Sequence, residues 1–183
     1  GEVSGAKGKA FLHKGNVYHI IGKDIAYFHY LFWPAMLMAV GIPVPKITTH
    51  GFITVNGEKM SKSRGTFYTA KDFLQLYNAE SLRFYYASHL DRKLVDIDLN
   101  LKDFEAVINN VLVANLGNFC YRTLTFATKY DKIAGTDKKS AELNKMIEQV
   151  KNYYQELNFK LAVKTILEIS DLGNVYFQKA NHI

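Results

Sequence analysis

The chain has 183 residues, 48% hydrophobic and 22% charged, with 3 Pro and 12 Gly. That excludes a collagen-like, linker-like or disordered polypeptide and leaves one large domain or two small ones with a real core. A single cysteine, Cys120, excludes a disulfide framework and a Cys-based zinc knuckle and fits a reducing cytosol; it reads as buried. The 23 basic and 17 acidic residues give +6, a modest excess compatible with a polyanionic partner.

The first 15 residues are Gly- and Lys-rich, carry no period and read as a mobile lead-in. With no initiator Met and no signal peptide at Gly1-Glu2-Val3-Ser4-Gly5, the expectation is a fragment or a processed chain. Val17 to Ile21 is a short, nearly continuous apolar run ended by Gly22, which suits a buried strand. From Ile25 to about Val40 apolar residues cover most of a helix, with Asp24 where an N-cap would stand and Pro34 bending or restarting it. This stretch is also the longest candidate for a membrane span. His29, Tyr30 and Pro34 interrupt it, and no apolar run reaches the roughly 18 residues required.

Gly41 to Pro45 is a turn, and Ile47 to Val55 alternates as a single strand, so strand, helix and strand form a βαβ unit. After Gly65, Thr69-x-x-Asp72 resembles a capping box opening a short helix that ends near Asn78, and a second runs from about Ala79 to His89. Asp91 to Asp98 is charged and loop-like. Asn100-x-x-Asp103 caps a long helix to about Tyr130, Asp131 to Lys139 is a polar linker, and helices over about 140–157 and 159–180 complete a bundle.

The segment richest in chemistry is Asn56-Gly57-Glu58-Lys59-Met60-Ser61-Lys62-Ser63-Arg64-Gly65-Thr66. Two glycines bracket cations and hydroxyls directly after a strand, so the loop can bring compact positive charge onto a polyphosphate. A solvated basic hairpin turn would share that composition. The pentapeptide K-M-S-K-S at 59–63 resembles the second signature of class I aminoacyl-tRNA synthetases. Its neighbours are Ile21-Gly22-Lys23-Asp24-Ile25, Phe28-His29, Leu31 to Leu37, His50-Gly51-Phe52 and Arg64-Gly65-Thr66. Together they resemble the methionyl-tRNA synthetase family over about residues 16–180.

That resemblance implies an α/β fold, an incomplete Rossmann-type nucleotide-binding domain, followed by an all-α anticodon-binding helix bundle. The implied domains are a lead-in over 1–15, catalytic residues 16–66, a stem-contact connector over 67–98 and the bundle over 99–183. The implied reaction is ATP-dependent activation of methionine and transfer to tRNA-Met in the cytoplasm. ATP with Mg2+ is a substrate, no metal site is expected in this chain, and no membrane is involved. The missing first half of the fold would come from the N-terminal half of the same synthetase, so this chain alone is expected to be inactive.

By motif position, Lys62 is the main phosphate lysine and Lys59 supports it. Gly22 and Asp24 match positions at the ribose of ATP, and His50 and Ile53 match positions beside the adenosine. Without the resemblance Gly22 and Asp24 read equally as a turn and a cap, and His50 as a structural histidine. Ile25, Phe28, His29 and Trp33 share one helix face, a plain core stripe by spacing and a methionine pocket by resemblance. Asn118 and Arg122, one turn apart, match the family's anticodon-reading pair; otherwise they are exposed polar residues.

The sequence departs from the family in three ways. His-x-Gly-His is absent, the connective insertion with zinc cysteines is absent, and Asn174-Val175-Tyr176 leads to Asn181-His182-Ile183 in place of the family's Pro-Trp. Two other readings stay open: a tRNA-binding module that no longer catalyses, and a nucleotidyl-transfer enzyme with a different acid substrate.

Overall fold

The computed structural model describes residues 12–61, 63–65, 68–129 and 140–180. Most of the lead-in (1–11), Lys62, the 131–139 linker, Tyr130 and the closing Asn181-His182-Ile183 lie outside them. The chain forms two compact units: Gly1–Phe52 with Lys93–Asp96, and Ile53–Arg92 with Ile97–Ile183.

In the first unit, β1 (Tyr18–Gly22) pairs in parallel with β2 (Lys46–His50), from Tyr18 opposite Lys46 to Gly22 opposite His50. Between them runs a helical crossover, as the βαβ pattern predicts. It is less regular than one continuous helix. Lys23–Ile25 is a 3₁₀ turn, and Asp24 lies inside it, while Gly22 holds the N-cap position without a side-chain cap bond. Phe28–Phe32 is π-helical, with Trp33 N–H donating to Phe28 O, and α1 (Trp33–Ala39) follows with Pro34 in its first turn. Pro34 has no N–H and crowds the carbonyl four residues back, so a widened turn before it is the expected accommodation.

The predicted strand Ile47–Val55 is broken in two. β2 ends at His50, and β3 (Ile53–Val55) belongs to the second unit. The break has a physical cause at residues 51 and 52. A Cβ on Gly51 would stand 2.2 Å from Val95 O, so only glycine admits that approach. Phe52 N–H donates to Asp96 Oδ1 (2.8 Å), which withdraws it from any ladder.

In the second unit, β3 lies between β4 (Glu58–Lys59), antiparallel, and β5 (Ile97–Asp98), parallel. The stretch Asp91–Asp98, expected to be loop throughout, therefore ends in a strand. Two residues are too few to show an alternating period. The helices α2 (Ala70–Leu76) and α3 (Ala79–His89) start where expected, with Thr69 and Asp72 forming a reciprocal capping box and Asn78 Oδ1 accepting from Ser81 N–H.

α4 (Leu101–Val107) is capped by Asn100 alone; the Asp103 carboxylate turns away to accept from Tyr85 Oη (2.9 Å). The helix continues through a π-helical stretch, Ile108–Gly117, into α5 (Asn118–Ala127). α6 (Ala141–Gln155), N-capped by Ser140, packs on α7 (Phe159–Ala180), which also contacts α3, the π-helical stretch and α5.

The core of this unit is Val55, Phe73, Tyr85, Leu99 and Phe104. Phe104 is centred among three rings: Phe73 at 5.3 Å, Tyr77 at 4.9 Å and Tyr85 at 5.4 Å, each edge to face. Edge-to-face contacts of this kind add to the stabilisation from burying apolar area. Tyr85 is buried yet polar at its tip, where its hydroxyl donates to Asp98 O and Asp103 Oδ2. Burial first, and then the Asp103 carboxylate, hold that hydroxyl well above its ordinary titration range.

Cys120, expected to be buried, is exposed. Its α5 neighbours Phe119 and Arg122 turn toward α7, where they meet Phe177 and Asn174. Residue 120 sits about 100° round the helix from Phe119, away from that contact. Among the described residues no helix is long and apolar enough to cross a membrane.

Candidate nucleotide and RNA-binding sites

The ATP-binding residues named from the sequence fall in both units: Gly22, Asp24 and His50 in the first, Ile53 and Lys59 in the second. In the first unit Gly22 and His50 are register partners at the C-terminal ends of two parallel strands, where α/β folds place ligands. Asp24 lies close by: a Cβ on residue 22 would stand 2.6 Å from Asp24 Oδ1. A side chain at 22 would displace that carboxylate. Burial lowers the His50 pKa from its ordinary 6.5, which favours a neutral ring able to both donate and accept.

Lys23 and Asp96 form a contact that sequence reasoning missed. Lys23 Nζ donates to both oxygens of Asp96 (2.7 and 2.9 Å) and lies 4.6 Å from the centre of the Phe52 ring. The partners are 73 residues apart, so no local spacing could reveal them. Asp96 also accepts the Phe52 N–H, and these bonds, the Lys23 one first, hold its carboxyl below the usual carboxylate range.

Because the folded value is lowered, the clamp is complete above the ordinary value near 3.8 and is lost as pH falls through the lowered one. A carbon-detected NMR titration of the Asp96 carboxyl should therefore show a midpoint below 3.8. A midpoint at or above it would mean the pair does not form in solution.

The four residues of the predicted methionine face are not equivalent. His29 Nδ1 donates to Ile25 O (3.0 Å), its ring meets His19 edge-on at 5.8 Å, and Trp33 stacks on the same His19 at 6.4 Å. Phe28 instead tilts against Phe32 at 5.7 Å and is 59% exposed. The π-helical turn accounts for the divergence, since it changes the angle between residues four apart. His19, on β1, is the residue that gathers His29 and Trp33.

In the second unit Asn56 (φ 52°) and Gly57 (φ 77°) form the two-residue turn of the β3–β4 hairpin. Both residues have positive φ, the turn geometry that matches strand twist and selects Asn-Gly. Lys59 stands opposite Thr54, Met60 packs against the core cluster, and the Ser61 and Ser63 hydroxyls are 3.0 Å apart. The pentapeptide is thus held at its base by a strand and a half-buried methionine.

On α5, Asn118 is exposed and its Nδ2 donates back to Ala114 O (2.9 Å). Arg122 is half-buried, reaching Asn174 Oδ1 at 3.4 Å with its guanidinium carbon 5.9 Å from the Phe177 ring centre. Asn174 donates in turn to Asn115 O (3.5 Å), and Asn115 to Asp171 Oδ1 (2.8 Å). A cleft of about 580 Å³ among these helices, lined by Ser88, Asn115, Lys160, Lys164, Leu167 and Asp171, contains none of the residues named from the sequence. Among the described residues no cluster of three or more His, Cys, Asp or Glu could hold a metal ion.

Residues 7–124 match the family described as tRNA synthetases class I (M). A methionine–tRNA ligase from Dichelobacter nodosus (strain VCS1703A) is 44% identical over 170 residues, which cover 90% of this chain and 25% of the relative. The chain thus spans about a quarter of that protein's length.

Mycobacterium tuberculosis methionyl-tRNA synthetase in complex with methionyl-adenylate superposes with a TM-score of 0.78 at 27% identity, covering 95% of this chain and 36% of that one. The apo form of the same enzyme gives 0.73 at 23% identity, covering 95% and 35%, a likeness of fold. With most of its length under the family match and a curated relative of the same kind, the chain belongs to the methionine group of the class I tRNA synthetases.

Proposed function

We propose that this chain is part of a methionine–tRNA ligase of the cytoplasm, whose substrates are methionine, ATP as its Mg2+ complex, and tRNA-Met. The observation that carries the reading is the pentapeptide at 59–63, which holds two lysines and two hydroxyls in five residues, with Lys59 on the β3–β4 hairpin and Met60 packed against the core cluster. The methionine carboxylate attacks the α-phosphorus of ATP and pyrophosphate leaves. The terminal ribose hydroxyl of the tRNA then attacks the acyl carbonyl and AMP leaves.

Negative charge grows on non-bridging oxygens in the first step, so fixed cations beside the departing pyrophosphate lower its barrier. Lys62 takes that role with Lys59 beside it. Gly22 and Asp24 receive the ribose, His50 and the Ile53 backbone flank the adenine, and Ile25, Phe28, His29 and Trp33 surround the methionine side chain. Asn118 and Arg122 read the anticodon from the helices over 99–183. Residues 16–66 form the latter part of the nucleotide-binding fold and 67–98 the connector to the tRNA stem.

The partner of the first unit is the N-terminal half of the same synthetase. Its two-stranded sheet and the exposure of Phe28, Tyr30, Phe32, Met36 and Met38 support that view. A helix apolar on so many sides ordinarily lies buried.

The test is methionine-dependent ATP–pyrophosphate exchange, measured for the purified chain and for the natural polypeptide that carries it. Exchange by the natural polypeptide and none by the chain is the expected result. Exchange driven by another amino or carboxylic acid would move the assignment within the superfamily. Tight tRNA binding with no exchange in either would make this a binding module.

A further inference from the structure

Asp96-Ile97-Asp98-Leu99-Asn100 alternates polar and apolar residues. Its apolar members serve the core: Leu99 is 2% exposed and Ile97 packs against the same cluster. Its polar members all bond to loops that carry, or adjoin, residues named above.

The Asp96 carboxylate holds Lys23, between Gly22 and Asp24, and the N–H of Phe52, two residues after His50. One side chain thereby ties two nucleotide-binding loops together. Asp98 Oδ1 accepts from Thr54 Oγ1 and from Gly57 N–H, both at 2.7 Å. Asn100 Nδ2 donates to Asn56 Oδ1 (3.0 Å), while its own Oδ1 caps α4 through the N–H groups of Lys102 and Asp103. The hairpin turn is therefore fixed from both of its central residues, and the same asparagine starts a helix.

We propose that Asp96, Asp98 and Asn100 are positioning residues for the nucleotide: Asp96 for the ribose and adenine loops, Asp98 and Asn100 for the phosphate hairpin. The proposal rests on the ligase reading. None of the three need touch the substrate; each acts through a loop residue. Asp96 and Asp98 are exposed, so their bonds add little to global stability. Small displacements of a loop aimed at a reacting phosphate are costly to rate and binding.

The experiment measures ATP–pyrophosphate exchange by the natural polypeptide carrying Asp96→Ala, Asp98→Ala, Asp98→Asn or Thr54→Val, well below the melting temperature of each. Asp96→Ala and Asp98→Ala should each raise KM for ATP about tenfold and leave KM for methionine within about twofold. Asp98→Asn should restore most of the loss, because its amide oxygen still accepts from Gly57 N–H.

A wild-type polypeptide that exchanges, with alanine variants whose KM for ATP is unmoved and only Tm lowered, would overturn the inference and spare the ligase reading. A wild type with no exchange would overturn both. Were Asp98→Ala not to fold, Asp96→Ala and Thr54→Val decide; the latter removes a single hydroxyl donor and should raise KM for ATP by a smaller factor.

Discussion

Lys62→Ala in the natural polypeptide is expected to lower kcat for methionine activation about 10²–10³-fold, the loss seen when one preorganised donor is removed from a developing oxyanion. KM for methionine should hardly change, since the lysine addresses charge that appears as pyrophosphate departs. Lys62→Arg keeps the charge and replaces a compact ammonium with a planar fork, so it should recover only part of the rate. Single-turnover formation of the adenylate is the measurement. A fall of less than about tenfold would shift the main role to Lys59 or to the hydroxyls of Ser61 and Ser63.

Phe104→Ala should be the most damaging single core substitution. The ring is 1% exposed and meets Phe73, Tyr77 and Tyr85, so its removal leaves a cavity those three rings cannot all close. Losses of about 3–5 kcal/mol are usual for such a change. For a chain of this size that is a fall of about 6–20 °C in Tm. Urea unfolding monitored by tyrosine fluorescence gives the value. A cost below about 1 kcal/mol would mean that the α2, α3 and α4 contacts repack freely around residue 104. Cys120→Ser, on the exposed side of α5, is the matching control and should lie within about 0.5 kcal/mol of wild type.

What could be read from the sequence was local. Thr69 with Asp72, and Asn100, announced their helices because a cap needs a particular side chain at a fixed distance from an apolar run. Gly22 after an apolar pentad marked a strand end for the same kind of reason.

The readings that needed correction depend on residues far away in the chain. Ile47–Val55 alternates well enough for one strand, and only the approach of Val95 and Asp96 to Gly51 and Phe52 divides it. β5 is too short to signal itself and exists through its pairing with Ile53 and Thr54. Cys120 is apolar enough for a core, but the side of α5 that meets α7 is set by Phe119 and Arg122.

The candidate site divides similarly. Lys59 and Asn56-Gly57 stand out by motif, whereas Asp96, Asp98 and Asn100 read as an ordinary charged loop until their bonds to Lys23, Gly57 and Asn56 are seen.

The hairpin turn also bears on how this protein ages. Asn-Gly is the dipeptide most prone to deamidation, in which the glycine nitrogen attacks the asparagine side-chain carbonyl and closes a succinimide ring with loss of ammonia. Here that nitrogen points its hydrogen at Asp98 and the side-chain carbonyl is engaged by Asn100, so both reacting groups are held by other partners. The tilt and rotation that cyclisation demands would break two hydrogen bonds and the paired strands behind them. The contacts that aim the hairpin thus also shield it from chemical wear, and a variant that loosens them would accumulate isoaspartate at residue 56 during storage.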